Sequence, residues 1–225
     1  MRAASLLRFI LFLSSFSLSA SALASLDAGI AAFEGEDYPA ALALFEPLAA
    51  AGNPKAMVWL ARVHDEGMDD PAAALPWYQK AAQRGVAEAQ ARLGDFYAQG
   101  LGVEPDDEKA LLWYGKAVAQ GSEDGMFGLG VLQQESLGDN VAARRWFEKA
   151  ADKGHADAQY RLGVLLLGVP GVARDVARAW MFLELAADAE HEEALTARDV
   201  LEINLKPAEL ARGRELLAQW QKAHP

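Results

Sequence analysis

Residues 85–120 read GVAEAQARLGDFYAQGLGVEPDDEKALLWYGKAVAQ, and this stretch decides the fold. From about Ala87 to Gln99, Leu93, Phe96 and Tyr97 place apolar bulk at helical spacing, and Gly94 gives a second helix room to come close. Gly100, Gly102 and Pro105 interrupt that helix. Asp106 and Asp107 then favour a new start, because a side-chain oxygen caps free backbone N–H groups and a carboxylate complements the helix dipole. Ala110, Trp113, Tyr114 and Ala117 supply the apolar stripe of the second helix. Two antiparallel helices follow, and Gly121 suits the left-handed C′ position that ends the second.

The same pattern recurs along the chain. Gly52, Gly85, Gly121, Gly154 and Glu190 fall at intervals of 33, 36, 33 and 36 residues, and eight residues before each stands Leu44, Trp77, Trp113, Trp146 or Phe182. A period in the thirties means one helix-turn-helix unit per repeat, and such a unit buries its apolar face only against its neighbours. Trp113 reads as a core aromatic, whose truncation to alanine would cost about 3 to 5 kcal/mol.

The units are 52–84, 85–120, 121–153 and 154–189, and the first and third lack three turn residues. Residues 25–51 form a first hairpin around Gly35-Glu36-Asp37, the shortest turn, and residues 190–225 form two capping helices separated at Lys206-Pro207. The last helix carries Leu210, Leu216, Leu217 and Trp220 and is expected to act as a lid. Pro47 and Pro76 fall inside expected second helices, where each removes a backbone bond at about 3 kcal/mol, so kinks are expected unless the Pro76 helix starts late.

At the N-terminus, Arg2 and Arg8 precede or flank an apolar stretch from Phe9 to about Leu18, followed by small residues ending in Ala22-Leu23-Ala24. This reads as a signal peptide over residues 1–24, with the exported chain starting at Ser25. The apolar stretch is shorter than the roughly 20 residues of a spanning helix, so stable membrane insertion is not expected. The exported chain would carry 32 acidic against 19 basic side chains, a formal charge of −13. Such a surface repels phosphate backbones, which makes nucleic acid and anionic lipid poor partners. With no cysteine, neither a disulfide framework nor a thiolate metal site can form. A periplasmic or secreted protein is the expectation.

At Ala89-Gln90, Leu93-Gly94, Tyr97, Gly100-Leu101-Gly102-Val103, Asp106, Lys109-Ala110, Trp113-Tyr114 and Lys116-Ala117 the chain resembles the Sel-one-like repeat family, a tetratricopeptide-type group with units of about 36 residues. The resemblance covers residues 52–189, while residues 25–51 look more like an ordinary tetratricopeptide unit. It departs at Ala61 in place of glycine, at His64 and Gln133 in place of a first-helix aromatic, and at Phe182-Leu183 in place of Trp-Tyr. The resemblance implies an all-α, right-handed superhelical α-solenoid of antiparallel helix pairs. It also implies a non-enzymatic adaptor that binds a protein or peptide segment, in envelope assembly, in signalling or at a host surface. A cysteine-rich secreted branch is described as penicillin-binding or β-lactamase-like. A cell-wall-active enzyme is therefore the alternative, although that branch holds its hairpins with cysteine pairs this chain lacks.

No constellation of residues supports catalysis, a cofactor or a metal. His64, His155, His191 and His224 share no metal-like spacing; His64 reads as a packing residue and His191 as decorating a helix start. Gly100-Leu101-Gly102-Val103 follows no strand and reads as a turn rather than a phosphate loop. The Trp/Tyr pairs follow the repeat core rather than a sugar-binding ladder.

In a tetratricopeptide-type array the first helices line the concave face. The outward positions, counted from each Leu of the Leu-Gly pair, are Val58, Arg62 and Asp65; Ala91, Asp95 and Ala98; Phe127, Val131 and Gln134; and Tyr160, Val164 and Leu167. The first half is charged and small, and the second is apolar beyond what a solvated face shows. Phe127 and Tyr160 are the expected anchors, and Arg62, the only basic residue at these offsets, is expected to meet a partner carboxylate. Either a partner or the helix around Trp220 covers the apolar half.

Overall fold

Helix starts and stops fall where the cap chemistry puts them. The computed structural model describes residues 25–224, so the expected signal peptide lies outside the described residues. Among the described residues there are twelve helices and no strand. They divide into two compact units, one up to Pro105 and one from Asp106, a division within the hairpin 85–120. The first unit holds α1 (residues 25–34), α2 (Tyr38–Ala50), α3 (Pro54–Arg62, continued by a π turn Val63–Gly67), α4 (Pro71–Gln83) and α5 (Ala87–Gln99). The second holds α6 (Asp107–Ala119), α7 (Glu123–Glu135), α8 (Asn140–Ala151), α9 (Ala156–Leu165), α10 (Val176–Asp188), α11 (Glu192–Asn204) and α12 (Pro207–Ala223). Within each unit, helices adjacent in sequence pack on one another in turn, except that α12 turns back onto α10.

The five period marks share one backbone conformation. Gly52, Gly85, Gly121, Gly154 and Glu190 have φ of 92°, 85°, 82°, 93° and 63°, the left-handed region that glycine enters without steric cost. The next residue in each case, Asn53, Val86, Ser122, His155 or His191, donates its backbone N–H to a carbonyl five residues back, on Leu48, Ala81, Ala117, Ala150 or Ala186. That same residue is the N-cap of the following helix. One residue thus closes a second helix and opens the next first helix.

Two of these junctions carry a further tie. Gln90 and Gln159, both buried, donate from Nε2 to the carbonyls of Ala82 and Ala151 at 3.1 and 3.3 Å. The amide adds a second donor to a carbonyl at the end of the preceding helix that already accepts from the junction glycine, Gly85 or Gly154, three residues on.

The core lies one residue away from the aromatic marks. Phe45, Tyr78, Tyr114, Phe147 and Leu183 are 0%, 0%, 2%, 0% and 0% exposed, whereas Leu44, Trp77, Trp113 and Trp146 are only half-buried. The expectation that Trp113 fills the core is therefore corrected. Each tryptophan lies along the helix surface under the lysine three residues on: Lys80 over Trp77 at 3.8 Å, Lys116 over Trp113 at 3.7 Å and Lys149 over Trp146 at 4.0 Å. Phe182 is buried because α12 covers α10 as well. The buried residues meet glycines of first helices: a Cβ at Gly130 would lie 2.5 Å from Phe147 Cε1, and one at Gly163 2.8 Å from Leu183 Cγ. Gly128 makes the same room for the Tyr114 ring.

Helices α2 and α4 run unbroken through Pro47 and Pro76, and α4 starts at Pro71, so a late start for the Pro76 helix is excluded. Both prolines are exposed, as are Ala43 and Ala72, whose carbonyls lose a helical donor and face water instead. Equilibrium unfolding of two variants tests the core assignment. Tyr114→Ala is expected to cost about 3 to 5 kcal/mol, whereas Trp113→Ala, which removes half-exposed surface, should cost about 1 kcal/mol.

Candidate docking grooves on the first helices

In the first unit the positions picked out by offset gather around one carboxylate. Gly67, in the π turn after α3, leaves space for the Tyr38 ring, 2.6 Å from where a Cβ would stand. Glu66 in that turn accepts from Arg62 Nε at 3.1 Å and Nη2 at 2.8 Å, and from Arg92 Nη2 of α5 at 2.6 Å. Arg92 also pairs with Asp95 at 3.8 Å, and Asp65 accepts from the Tyr78 hydroxyl at 3.4 Å. The Arg62 guanidinium lies 4.4 Å over the Trp59 ring and 5.2 Å over that of Phe33.

Arg62, Asp65 and Asp95 are therefore brought together, with Arg62 already engaged by the chain's own Glu66. Val58 and Ala91 are buried, so neither is a groove residue: short side chains at that offset end inside the helix packing. Ala98 is half-buried, and so is His64, which is not the core residue expected of it. Glu66 and Arg92 lie off the chosen offsets; Glu66, in the π turn, stands four residues after Arg62 and meets Arg92 from the neighbouring first helix.

Burial pushes the Glu66 carboxyl up, but the hydrogen bonds and charges of Arg62 and then Arg92 outweigh it and hold Glu66 below its ordinary value. Asp65 moves the other way: burial raises it, against the pull of Arg92. A carboxyl lowered in the folded state contributes stability above the unfolded carboxylate range and loses it as pH falls through the folded value. Glu66→Gln is thus expected to lower stability by about 1 kcal/mol at neutral pH, allowing for solvent screening, and to converge with the parent in acid. Unfolding curves at pH 7 and pH 3 check this.

In the second unit α7, α9 and α11 repeat one pattern at the repeat interval. Asp124, Asp157 and Glu193 stand in the first turns; Phe127, Tyr160 and Thr196 follow, then Val131, Val164 and Val200, then Gln134, Leu167 and Ile203. Phe127 stacks on the His155 ring at 4.6 Å and 21°, and Tyr160 lies against the His191 ring at 4.6 Å and 31°. Each histidine caps its helix, with Nδ1 accepting from the backbone N–H of Ala158 or Ala194 at 3.3 and 3.2 Å. An accepting Nδ1 leaves the ring proton on Nε2, which faces Asp124 at 3.4 Å from His155 and Asp157 at 3.2 Å from His191. Cap, aromatic stack and first-turn acid thus form one unit that recurs in the next repeat.

The floor deepens toward α11. Tyr160 and Leu167 form one wall of an open pocket of about 550 Å³, and Ala197, Val200 and Leu201 form the other, with Glu193 and Asn204 at its ends along α11. Val200 is 60% exposed and Ile203 84%. Phe127 and Val131 are half-buried against the core that Leu216, Leu217 and Trp220 also close. Gln134 and Val164 are half-buried too, and the Gln134 amide oxygen has no hydrogen-bond partner among the described residues.

The lid seats elsewhere. In α12, Gly213 packs so tightly on Trp180 of α10 that a Cβ would lie 2.8 Å from Trp180 Cε3. Glu202 accepts from Trp180 Nε1 at 3.0 Å and from Arg214 Nη2 at 3.2 Å. Tyr160 and Leu167 are thus flanked by α11. Thr196, Val200 and Ile203 complete this groove, and adding the repeat interval of 36 to Tyr160, Val164 and Leu167 finds all three.

These features define an α-helical repeat scaffold fold whose first helices carry the groove residues. The profile of the Sel1 repeat matches residues 54–86, 87–122, 124–155 and 156–191, and the chain belongs to the Sel1 repeat family. It is similar to the structure of c5321, described as a protective antigen present in uropathogenic Escherichia coli strains and displaying an SLR fold. The identity is 30% over 92% of this chain and 47% of that one, with a TM-score of 0.78. The chain thus spans about half the length of that protein. A Sel1 repeat protein from Oxalobacter formigenes is also 30% identical, over 77% of this chain and 73% of that one, with a TM-score of 0.66. The immunity protein Pa5087 from Pseudomonas aeruginosa shares the fold at 20% identity, over 77% and 68% of the two chains, with a TM-score of 0.56. No curated protein matches the chain.

Proposed function

We propose that this protein is an exported, non-enzymatic scaffold that holds a segment of another protein in the groove of its second unit, in envelope assembly or signalling. Sel1 repeats commonly mediate protein–protein interaction, and the groove is the surface that fits this use. The observation that carries the reading is Val200 and Ile203, 60% and 84% exposed, beside an open apolar pocket walled by Tyr160 and Leu167. Exposed aliphatic side chains continuous with a pocket mark interaction sites.

Export is supported by the basic start, short apolar stretch and Ala22-Leu23-Ala24 of residues 1–24. The description of the similar Escherichia coli protein as a protective antigen points the same way. Among the described residues no helix is long and apolar enough to cross a membrane. The acidic chain disfavours nucleic acid.

Site-specific photo-crosslinking in a bacterial envelope tests both parts. A photoreactive residue at Val200 is expected to give a discrete adduct on a chain that begins at Ser25, while one at Leu112, equally exposed on α6, gives none. Equal labelling from both positions, or an adduct on the uncleaved chain, would contradict the proposal.

A further inference from the structure

The chemistry of the occupant is legible in the rim of this groove. Asp124, Asp157 and Glu193 recur at the second residue of α7, α9 and α11, at intervals of 33 and 36 residues, so each repeat adds one carboxylate to the same edge. Their side chains are well exposed. Helix dipoles explain why acids are favoured there, and the consequence is a negative rim. The groups facing them are His155, 3.4 Å from Asp124 and 3.9 Å from Asp157, and His191, 3.2 Å from Asp157 and 3.3 Å from Glu193. No arginine or lysine forms an ion pair with Asp157 or Glu193 among the described residues. Arg161, four residues after Asp157, pairs with Glu135 at 3.0 Å, Arg198, five residues after Glu193, pairs with Glu184 and Asp199, and Lys153, four residues before Asp157, reaches toward Gly121, its Nζ 3.9 Å from where a Cβ there would stand.

One helical turn and more beyond that rim, the surface is aliphatic. Val131, Val164 and Val200 repeat at the same offset, and Leu167 and Ile203 follow them. The groove is thus a strip with a carboxylate edge and an apolar floor. A fatty acid, an anionic lipid or an acidic peptide would bring like charge against the edge, and a wholly neutral apolar segment would leave the carboxylates without a counter-charge.

We propose that the occupant is a basic amphipathic peptide segment, with aliphatic side chains on the Val164–Val200 floor and lysine or arginine side chains against Asp157 and Glu193. The proposal rests on reading the groove as the docking surface. The apolar contacts supply the affinity and the carboxylates the choice of partner, because exposed ion pairs contribute little energy but discriminate against the wrong sign.

Selection from a random peptide library displayed on phage, carried out on the chain beginning at Ser25 and followed by assay of the selected peptides on its Val200→Glu variant, tests this. Val200 is exposed, so the substitution leaves the fold intact, which circular dichroism checks. The expected consensus pairs two or more aliphatic residues with lysine or arginine. For a synthetic peptide of that sequence, Val200→Glu should weaken binding more than tenfold. Asp157→Asn and Glu193→Gln should each weaken it about two- to fivefold, an effect that added salt removes, while Glu108→Gln on α6 changes nothing. A neutral or acidic consensus still lost on Val200→Glu would overturn the basic partner and keep the groove. A consensus indifferent to Val200→Glu would overturn both.

Discussion

A single left-handed residue at the end of each second helix sets the period on which everything else depends. At Gly52, Gly85, Gly121, Gly154 and Glu190 the chain turns out of one helix, and the next residue closes that helix and caps the following one. Three residues between helices, four at the Gly154 junction, leave almost no freedom in the angle of departure. Across the junction at Gly121 the buried contact then falls into register, with Tyr114 of α6 on Gly128 of α7, while Phe147 on Gly130 and Leu183 on Gly163 pack within their own hairpins. The glycine of α7 and the ring from α6 are complementary because the junction brings them to the same height.

The same junction builds the groove. When the capping residue is histidine, its ring lies where the aromatic side chain of the preceding first helix can stack on it, as His155 does on Phe127 and His191 on Tyr160. The cap satisfies the backbone, the stack fixes an otherwise half-exposed aromatic ring, and the first-turn acid meets the outer nitrogen. Rigidity of the floor follows from secondary-structure chemistry, and a preorganised floor lowers the entropy lost on docking a partner. In the first unit the corresponding surface is closed on itself, with Arg62 and Arg92 both bound to Glu66.

Most of the helical architecture was legible in the sequence because it is written in glycine and aspartate. Glycine at fixed intervals marked the left-handed positions, and Asp37, Asp70, Asp106, Asp139 and Asp175 open the second helices as caps. Even Glu190, which lacks glycine's freedom, was placed by interval alone and adopts φ 63°. The tryptophans misled by one position. A large aromatic side chain suggests burial, but beside an equally apolar neighbour only the helical phase decides which faces inward, and Tyr78, Tyr114 and Phe147 do. The pairing of Arg62 was overlooked although Glu66 stands four residues on, the ordinary helical spacing of an ion pair, whereas the second partner of Glu66, Arg92 on α5, is reached only through tertiary packing. The groove was traced as far as Leu167 and stopped one repeat short. Its most exposed members, Val200 and Ile203, lie on α11, where the repeat motif has faded but the offset still holds.

The junction conformation can be isolated from packing at Gly154, where an added Cβ would meet no atom within 4 Å. The equilibrium unfolding free energy of Gly154→Ala therefore reads the left-handed backbone alone. A loss of about 1 to 2 kcal/mol is the result this account requires, since an L-residue with a Cβ is penalised by about that much in this conformation. Unchanged or increased stability would show that the junction does not hold the register, and would remove the ground on which both core and groove have been explained.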